Sequence, residues 1–165
     1  MDSLTIRQAR PEDAPALGDL LTQLGYPTDA AEIPARLEKV HARPGTTVLV
    51  AEHHGRTVGV VTVHLFAAMH SNEPAAWLTA LVVDQSMRGK GVGSALVEHA
   101  ERWAMQQGAH NLALTSALRR KEAHEFYKRR DYEHTGVRLV KILSTDGSAS
   151  NSASAAELSP TNQQD

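Results

Sequence analysis

Arg88, Gly89, Lys90, Gly91, Val92, Gly93 and Ser94 follow one another without interruption and have the make-up of an anion cradle. Three alternate glycines carry no side chain, so successive backbone N–H groups can turn toward one anion. A helix that starts here adds about half a positive charge. Phosphate or pyrophosphate suits such a loop. Two familiar phosphate loops do not fit it. A nucleotide P-loop needs glycine, four residues, then Gly-Lys-Ser/Thr, but Lys90 is followed by Gly91 and Asp84 stands where the first glycine belongs. A dinucleotide fingerprint has Leu96 in place of its third glycine. A glycine-rich corner with no ligand would use the same residues.

Other reactive side chains are few. The chain has no cysteine, which removes disulfides, thiolate zinc sites and a cysteine nucleophile together. Nine histidines invite a metal, but His53 and His54 are neighbours expected on a strand, where they point to opposite faces. The string His124-Glu125-Phe126-Tyr127-Lys128 lacks the second histidine of a zincin, so no metal is expected.

The loop needs a strand before it and a helix after it, and the pattern supplies both. Ala75 to Val83 is apolar on both alternating faces and reads as a central strand covered on two sides. Val92, Leu96, Ala100, Trp103 and Ala104 form one face of a helix that Gly108 stops, with Glu98 and Arg102 spaced to pair on its outer surface. Upstream, Leu4 to Ala9 reads as a strand, and Leu17, Leu20, Leu21 and Leu24 stripe a helix ended by Gly25. A second helix covers about Asp29 to His41. Thr47 to His53 and Thr57 to Phe66 form a hairpin through His54, Gly55 and Arg56. Downstream come a short strand at Asn111 to Ser116, a helix at Arg119 to Arg130 and a final extended segment at Tyr132 to Leu143. The sum is an α+β domain around a mixed sheet of about six or seven strands, flanked by about four helices.

Size and charge narrow the class. The 165 residues suit one domain, expected over residues 1–143. Residues 144–165, rich in Ser and Ala with Leu158 as the one large aliphatic, read as a disordered tail. Lys plus Arg is 17 against 19 for Asp plus Glu, so no basic footprint for nucleic acid exists. No apolar run approaches the roughly 20 residues that span a bilayer, and the N-terminus resembles no signal peptide, so a cytoplasmic protein without a membrane or nucleic-acid partner is expected.

The loop matches R-x-x-G-x-G through Arg88, Gly91 and Gly93, four residues beyond Leu81-Val82-Val83-Asp84. Ala123, Phe126, Tyr127 and Tyr132 add an alanine, a phenylalanine-tyrosine pair closing a helix and an aromatic opening the next segment. In these two motifs, in this order, the chain resembles the GNAT family of acetyl-CoA-dependent N-acetyltransferases, over essentially Leu4 to Leu143.

The resemblance implies a GNAT-like fold whose sheet splays beside the central strand to admit acetyl-CoA, the co-substrate. It places Leu81, Val82 and Val83 along the pantetheine arm and thioester. Arg88, Gly89, Lys90, Gly91, Val92, Gly93 and Ser94 fall around the pyrophosphate. A strand N–H, of Leu81 or Val82, stabilises the oxyanion. It makes Tyr127 the general acid for the departing thiolate; as a packing residue, Tyr127 would bury with Ala123 and Phe126. Transfer is direct, in keeping with the missing cysteine. The implied acceptor is the primary amine of a small molecule. A protein or peptide amine and a non-catalytic acyl-CoA-binding module are the alternatives, and a homodimer stays open. The family's frequent carboxylate on the central strand falls at Thr79, which leaves the base unassigned among Glu73, His70 and His64. Asp131 stands where the family usually has glycine, and Arg119, Arg120 and Lys121 are within reach of the cofactor's 3′-phosphate.

Overall fold

A computed structural model describes residues 4–143 of the chain, so the tail expected from residue 144 lies outside the described residues. Strands β1 (Leu4–Gln8), β2 (Thr46–His53), β3 (Arg56–Phe66), β4 (Ala75–Val83) and β5 (Leu112–Leu114) form one sheet in sequence order. The first four pair antiparallel, and β5 runs parallel to β4. Helices α1 (Ala14–Leu24) and α2 (Ile33–His41) lie between β1 and β2, α3 (Val92–Gln106) follows β4, and α4 (Lys121–Lys128) closes the described elements. This is the expected α+β class with its four helices.

Alternation along the strands feeds two cores. Val48, Val50, Val60 and Val82 point to one face and pack with Leu17, Leu20, Leu24, Ile33 and Leu37 of α1 and α2. Val61, Val63, Leu78, Leu81 and Val83 point to the other and pack with Val92, Leu96, Val97 and Ala100 of α3 and with Ala123, Phe126 and Tyr127 of α4. Close approach of α3 requires a glycine beneath it, because a Cβ on Gly59 would stand 2.9 Å from Leu96 Cδ1 and 3.2 Å from the Val82 carbonyl oxygen.

Five expectations change. Among the described residues the sheet has five strands rather than six or seven, because Tyr132 to Leu143 forms none. Its apolar alternation meets no partner edge: β5 exposes only three residues, and Val137, Leu139 and Leu143 keep over 80% of their surface in solvent. The strand at Asn111 to Ser116 shrinks to those three residues, and the helix at Arg119 to Arg130 to Lys121–Lys128. Glu98 pairs with Arg130, 3.3 Å away beyond α4, which joins α3 to α4 instead of bracing α3 through Arg102. His53 and His54 do not point apart: His54 leads a two-residue turn with φ 49°, followed by Gly55 with φ 74°, and this curl stacks the two imidazoles edge to face at 4.3 Å.

α4 ends as expected at a left-handed residue. Asp131 has φ 64°, its N–H donates to the Lys128 carbonyl, and the Tyr132 N–H donates to that of Tyr127. The same six-to-one closure ends α1 at Gly25 and α3 at Gly108. Here a Cβ stands in a conformation that costs an L-residue about 1 kcal/mol, reduced for Asp by its short polar side chain. Asp131→Gly is therefore expected to leave the melting temperature unchanged or raise it by a few degrees; a clear fall would contradict this helix end.

Charge also ties the first strand down. Arg7 donates from Nη1 and Nη2 to both carboxylate oxygens of Asp13 at 2.8 Å and from Nε to Glu52, while Thr57 and the Arg10 N–H donate to Asp13 as well. Burial of the Asp13 carboxyl pushes its pKa up, but the hydrogen bonds from Arg7, Thr57 and Arg10 outweigh it and bring the value down to about 2. Because the folded value lies below the unfolded one, this carboxylate stabilises the fold fully above about pH 4 and loses its contribution as pH falls toward 2. The difference corresponds to about 2 kcal/mol at neutral pH. Asp13→Asn is expected to lower stability at pH 7 by about that amount and to flatten the acid limb between pH 4 and 2 in urea titrations; an unchanged acid limb would contradict it.

Candidate active site

The sheet opens beside β4. β5 pairs with β4 only at Ala76, Trp77 and Leu78, after which β4 has no strand partner on that edge among the described residues. The departure coincides with a bulge: Leu78 opposes Val63 and Ala80 opposes Thr62, which leaves Thr79 as an extra residue. No composition signal marks that residue, and sequence reasoning missed the bulge. The Asp84 N–H donates to the Val58 carbonyl, which fixes the pairing phase of the ladder. By alternation, Val82 turns its peptide groups toward β3, while Leu81 and Val83 turn theirs to the open edge. The Arg88 Nε lies 3.4 Å from the Val83 carbonyl oxygen on that side. Of the two N–H groups considered for an oxyanion, Val82's therefore belongs to the β3 ladder and Leu81's to the opening.

The glycine loop follows at once. A short helical turn, Gln85–Met87, is capped by Asp84, which accepts from the Ser86 N–H and from Gln23 of α1. The Ser86 hydroxyl, then burial against it, then Gln23 and the Ser86 N–H set the Asp84 carboxyl below its ordinary pKa. Gly89 and Gly91 take φ 71° and 77°, and Gly91 is the residue from which α3 starts. Among the described residues no side chain caps that start, so the first-turn N–H groups, those of Val92, Gly93 and Ser94 among them, are held by no side-chain cap. Val92 and Gly93 are buried, and Ser94 is half-buried. Lys90 is exposed and holds its ammonium on the Ser86 carbonyl at 3.0 Å.

Cations gather on this side. Burial, then the like charges of Arg119 and Arg88, lower the pKa of the Arg120 guanidinium, against an opposite influence of Tyr26. Arginines from the loop and from the approach to α4 thus share one electrostatic neighbourhood. Tyr127 is 4% exposed with its hydroxyl oxygen wholly buried, and its ring meets Phe126 and Tyr132 edge to face at 5.2 and 5.4 Å. It shares a core with Leu81, Val83, Val92 and Leu96. Tyr132 donates to Glu101 at 2.9 Å, and burial, then that carboxylate, push its phenol up. Glu73 and His70 are exposed, whereas His64 is half-buried on β3. Among the described residues no group of three or more His, Cys, Asp or Glu could hold a metal ion, and no helix is long and apolar enough to cross a membrane.

The profile of the Acetyltransferase (GNAT) family matches residues 14–132, most of the chain and all of the site. The chain belongs to the GNAT family. GNAT members use acetyl-CoA as acetyl donor, and the uncapped helix start, the open strand edge and the arginines above fit such a donor. An aminoalkylphosphonate N-acetyltransferase of Salmonella typhimurium is 33% identical over 100 residues, 61% of this chain and 65% of the relative, so the match spans less than two thirds of that relative's length. Two solved structures share the GNAT fold. Glucosamine-6-phosphate N-acetyltransferase from Arabidopsis thaliana has a TM-score of 0.76 at 21% identity, over 87% of this chain and 100% of that one. An aminoglycoside N-acetyltransferase in complex with CoA has a TM-score of 0.73 at 18% identity, over 87% and 95%.

Proposed function

We propose that residues 1–143 form an N-acetyltransferase domain that moves the acetyl group of acetyl-CoA directly to a primary amine of a small molecule in the cytoplasm. One observation carries the reading: β4 leaves its partner at Leu78 and runs open-edged into a glycine loop that starts an uncapped helix. Leu81 and Val83 present peptide groups along the pantetheine arm, with Val82 between them holding β4 to β3. Arg88, Gly89, Lys90, Gly91, Val92, Gly93 and Ser94 surround the pyrophosphate, chiefly through backbone N–H groups. Acetyl-CoA supplies an activated thioester, so the protein's work is positioning, charge stabilisation and proton movement. The Leu81 N–H faces the oxygen that gains charge. Tyr127 gives its proton to the leaving sulfur. The Salmonella relative, named for a small amine, favours a small-molecule acceptor over a protein amine.

The test is acetyl-CoA turnover against a panel of small primary amines and lysine-bearing peptides, read as free thiol and as acetylated product. Small amines are expected to turn over. Acetylation of peptides alone would replace the acceptor assignment, and CoA binding with no acceptor turned over would make the chain a binding module.

A further inference from the structure

The sheet beside the opening of β4 has two faces, and one of them is covered only in part. α3 and α4 cover the face that carries Leu81 and Val83. On the opposite face α1 and α2 cover Val48, Val50, Val60 and Val82. Beyond that row the same face carries Thr46 on β2, Thr62 and His64 on β3, and Trp77 and Ala80 on β4, all only half-buried. Register puts them together: Thr62 opposes Ala80 beside the bulge at Thr79, and His64 stands between Thr46 and Trp77. His64 is two residues, about 7 Å along the strand, from the point where β4 opens.

Resting on the acetyl-transfer reading above, we propose that the acceptor amine enters on this face, over Trp77 and Ala80, and that His64 is the catalytic base that takes its proton. The Thr46 hydroxyl oxygen lies 3.2 Å from His64 Nδ1. With Nδ1–H donating to that oxygen, Nε2 keeps its lone pair and is the acceptor. The ammonium gives one proton to Nε2, its nitrogen forms the bond to the acetyl carbon as the carbon–sulfur bond breaks, Tyr127 protonates the departing sulfur, and the nitrogen's second proton restores the Tyr127 hydroxyl. His64 then returns its proton to water. Charge around the ring agrees with this role. The neighbours on β2 and β4, Thr46 and Trp77, are uncharged, and Arg43, ahead of β2, is the charge that the ring feels. Burial first and Arg43 second lower the imidazole pKa, which favours the neutral ring that a base requires. Glu73 and His70 are exposed and offer no such enclosure.

The experiment is the pH profile of kcat/KM for the amine in the wild type, in His64→Gln and in Thr46→Val, with CoA affinity and melting temperature measured alongside. The wild type is expected to lose activity at acid pH as His64 becomes protonated. His64→Gln is expected to fall about a hundredfold at pH 7 and to rise log-linearly with pH, with CoA affinity and fold retained. Thr46→Val, which removes only the orienting oxygen, should fall several-fold and keep the acid limb. Equal rates and an unchanged profile in His64→Gln would overturn the proposal while leaving acetyl transfer intact. A wild type that turns over no amine would instead overturn the reading on which the proposal rests. If His64→Gln fails to fold, Thr46→Val at wild-type rate and profile overturns it.

Discussion

Gly91→Asp is expected to weaken CoA binding at least a hundredfold, a loss of about 3 kcal/mol, while the protein stays folded. Two effects add. Gly91 sits at φ 77°, a conformation that costs an L-residue about 1 kcal/mol, and relief of that strain would tilt the start of α3. The carboxylate would also stand among N–H groups that no side chain caps, where it would occupy the donors meant for the pyrophosphate and repel its charge. Gly91→Ala separates the two, since it has the strain without the charge and is expected to weaken binding about five- to tenfold. Isothermal titration with CoA and with dephospho-CoA reads both variants. CoA affinity within twofold of wild type in Gly91→Asp would contradict the cradle.

Tyr127→Phe is expected to lower kcat about a hundredfold at neutral pH, with KM for acetyl-CoA little changed. The ring sits in a filled aromatic cluster with Phe126 and Tyr132, and phenylalanine preserves those contacts, so melting temperature should stay within a few degrees. What disappears is one hydroxyl at an oxygen already out of solvent. A thioester of a more acidic thiol needs less help in leaving, so the variant's deficit should shrink with such a donor. Unchanged kcat at all pH values would reduce Tyr127 to a packing residue.

The elements around the loop were legible because their signals are local. Leu17, Leu20 and Leu24 declare a helix face by spacing alone, whereas the left-handed helix end at Asp131 was implied by the resemblance, which has glycine at that position. The run from Ala75 to Val83 announced a strand buried on both faces for the same reason. Pairing is a different matter, because an edge must exist to receive a strand. The alternation of Val137, Leu139 and Leu143 describes a strand that finds no ladder, and β5 keeps only the residues that touch β4. The bulge at Thr79 depends on how β3 and β4 slip past each other, which one strand's sequence does not encode. The same holds for His64: its half-burial and its Thr46 partner come from neighbouring strands, so the sequence ranked it level with Glu73 and His70. Ion pairs were the least legible, as Glu98 with Arg130 shows, since long side chains choose partners across helices as readily as along one.

The most direct test of the central claim mixes the purified chain with acetyl-CoA and a small primary amine, then follows free CoA and acetylated amine by mass spectrometry, with the intact protein mass recorded during turnover. Direct transfer on the open edge of β4 predicts one acetylated amine per CoA released and no added acetyl on the protein. CoA that binds without product, or product that forms only through an acetylated protein, would contradict it.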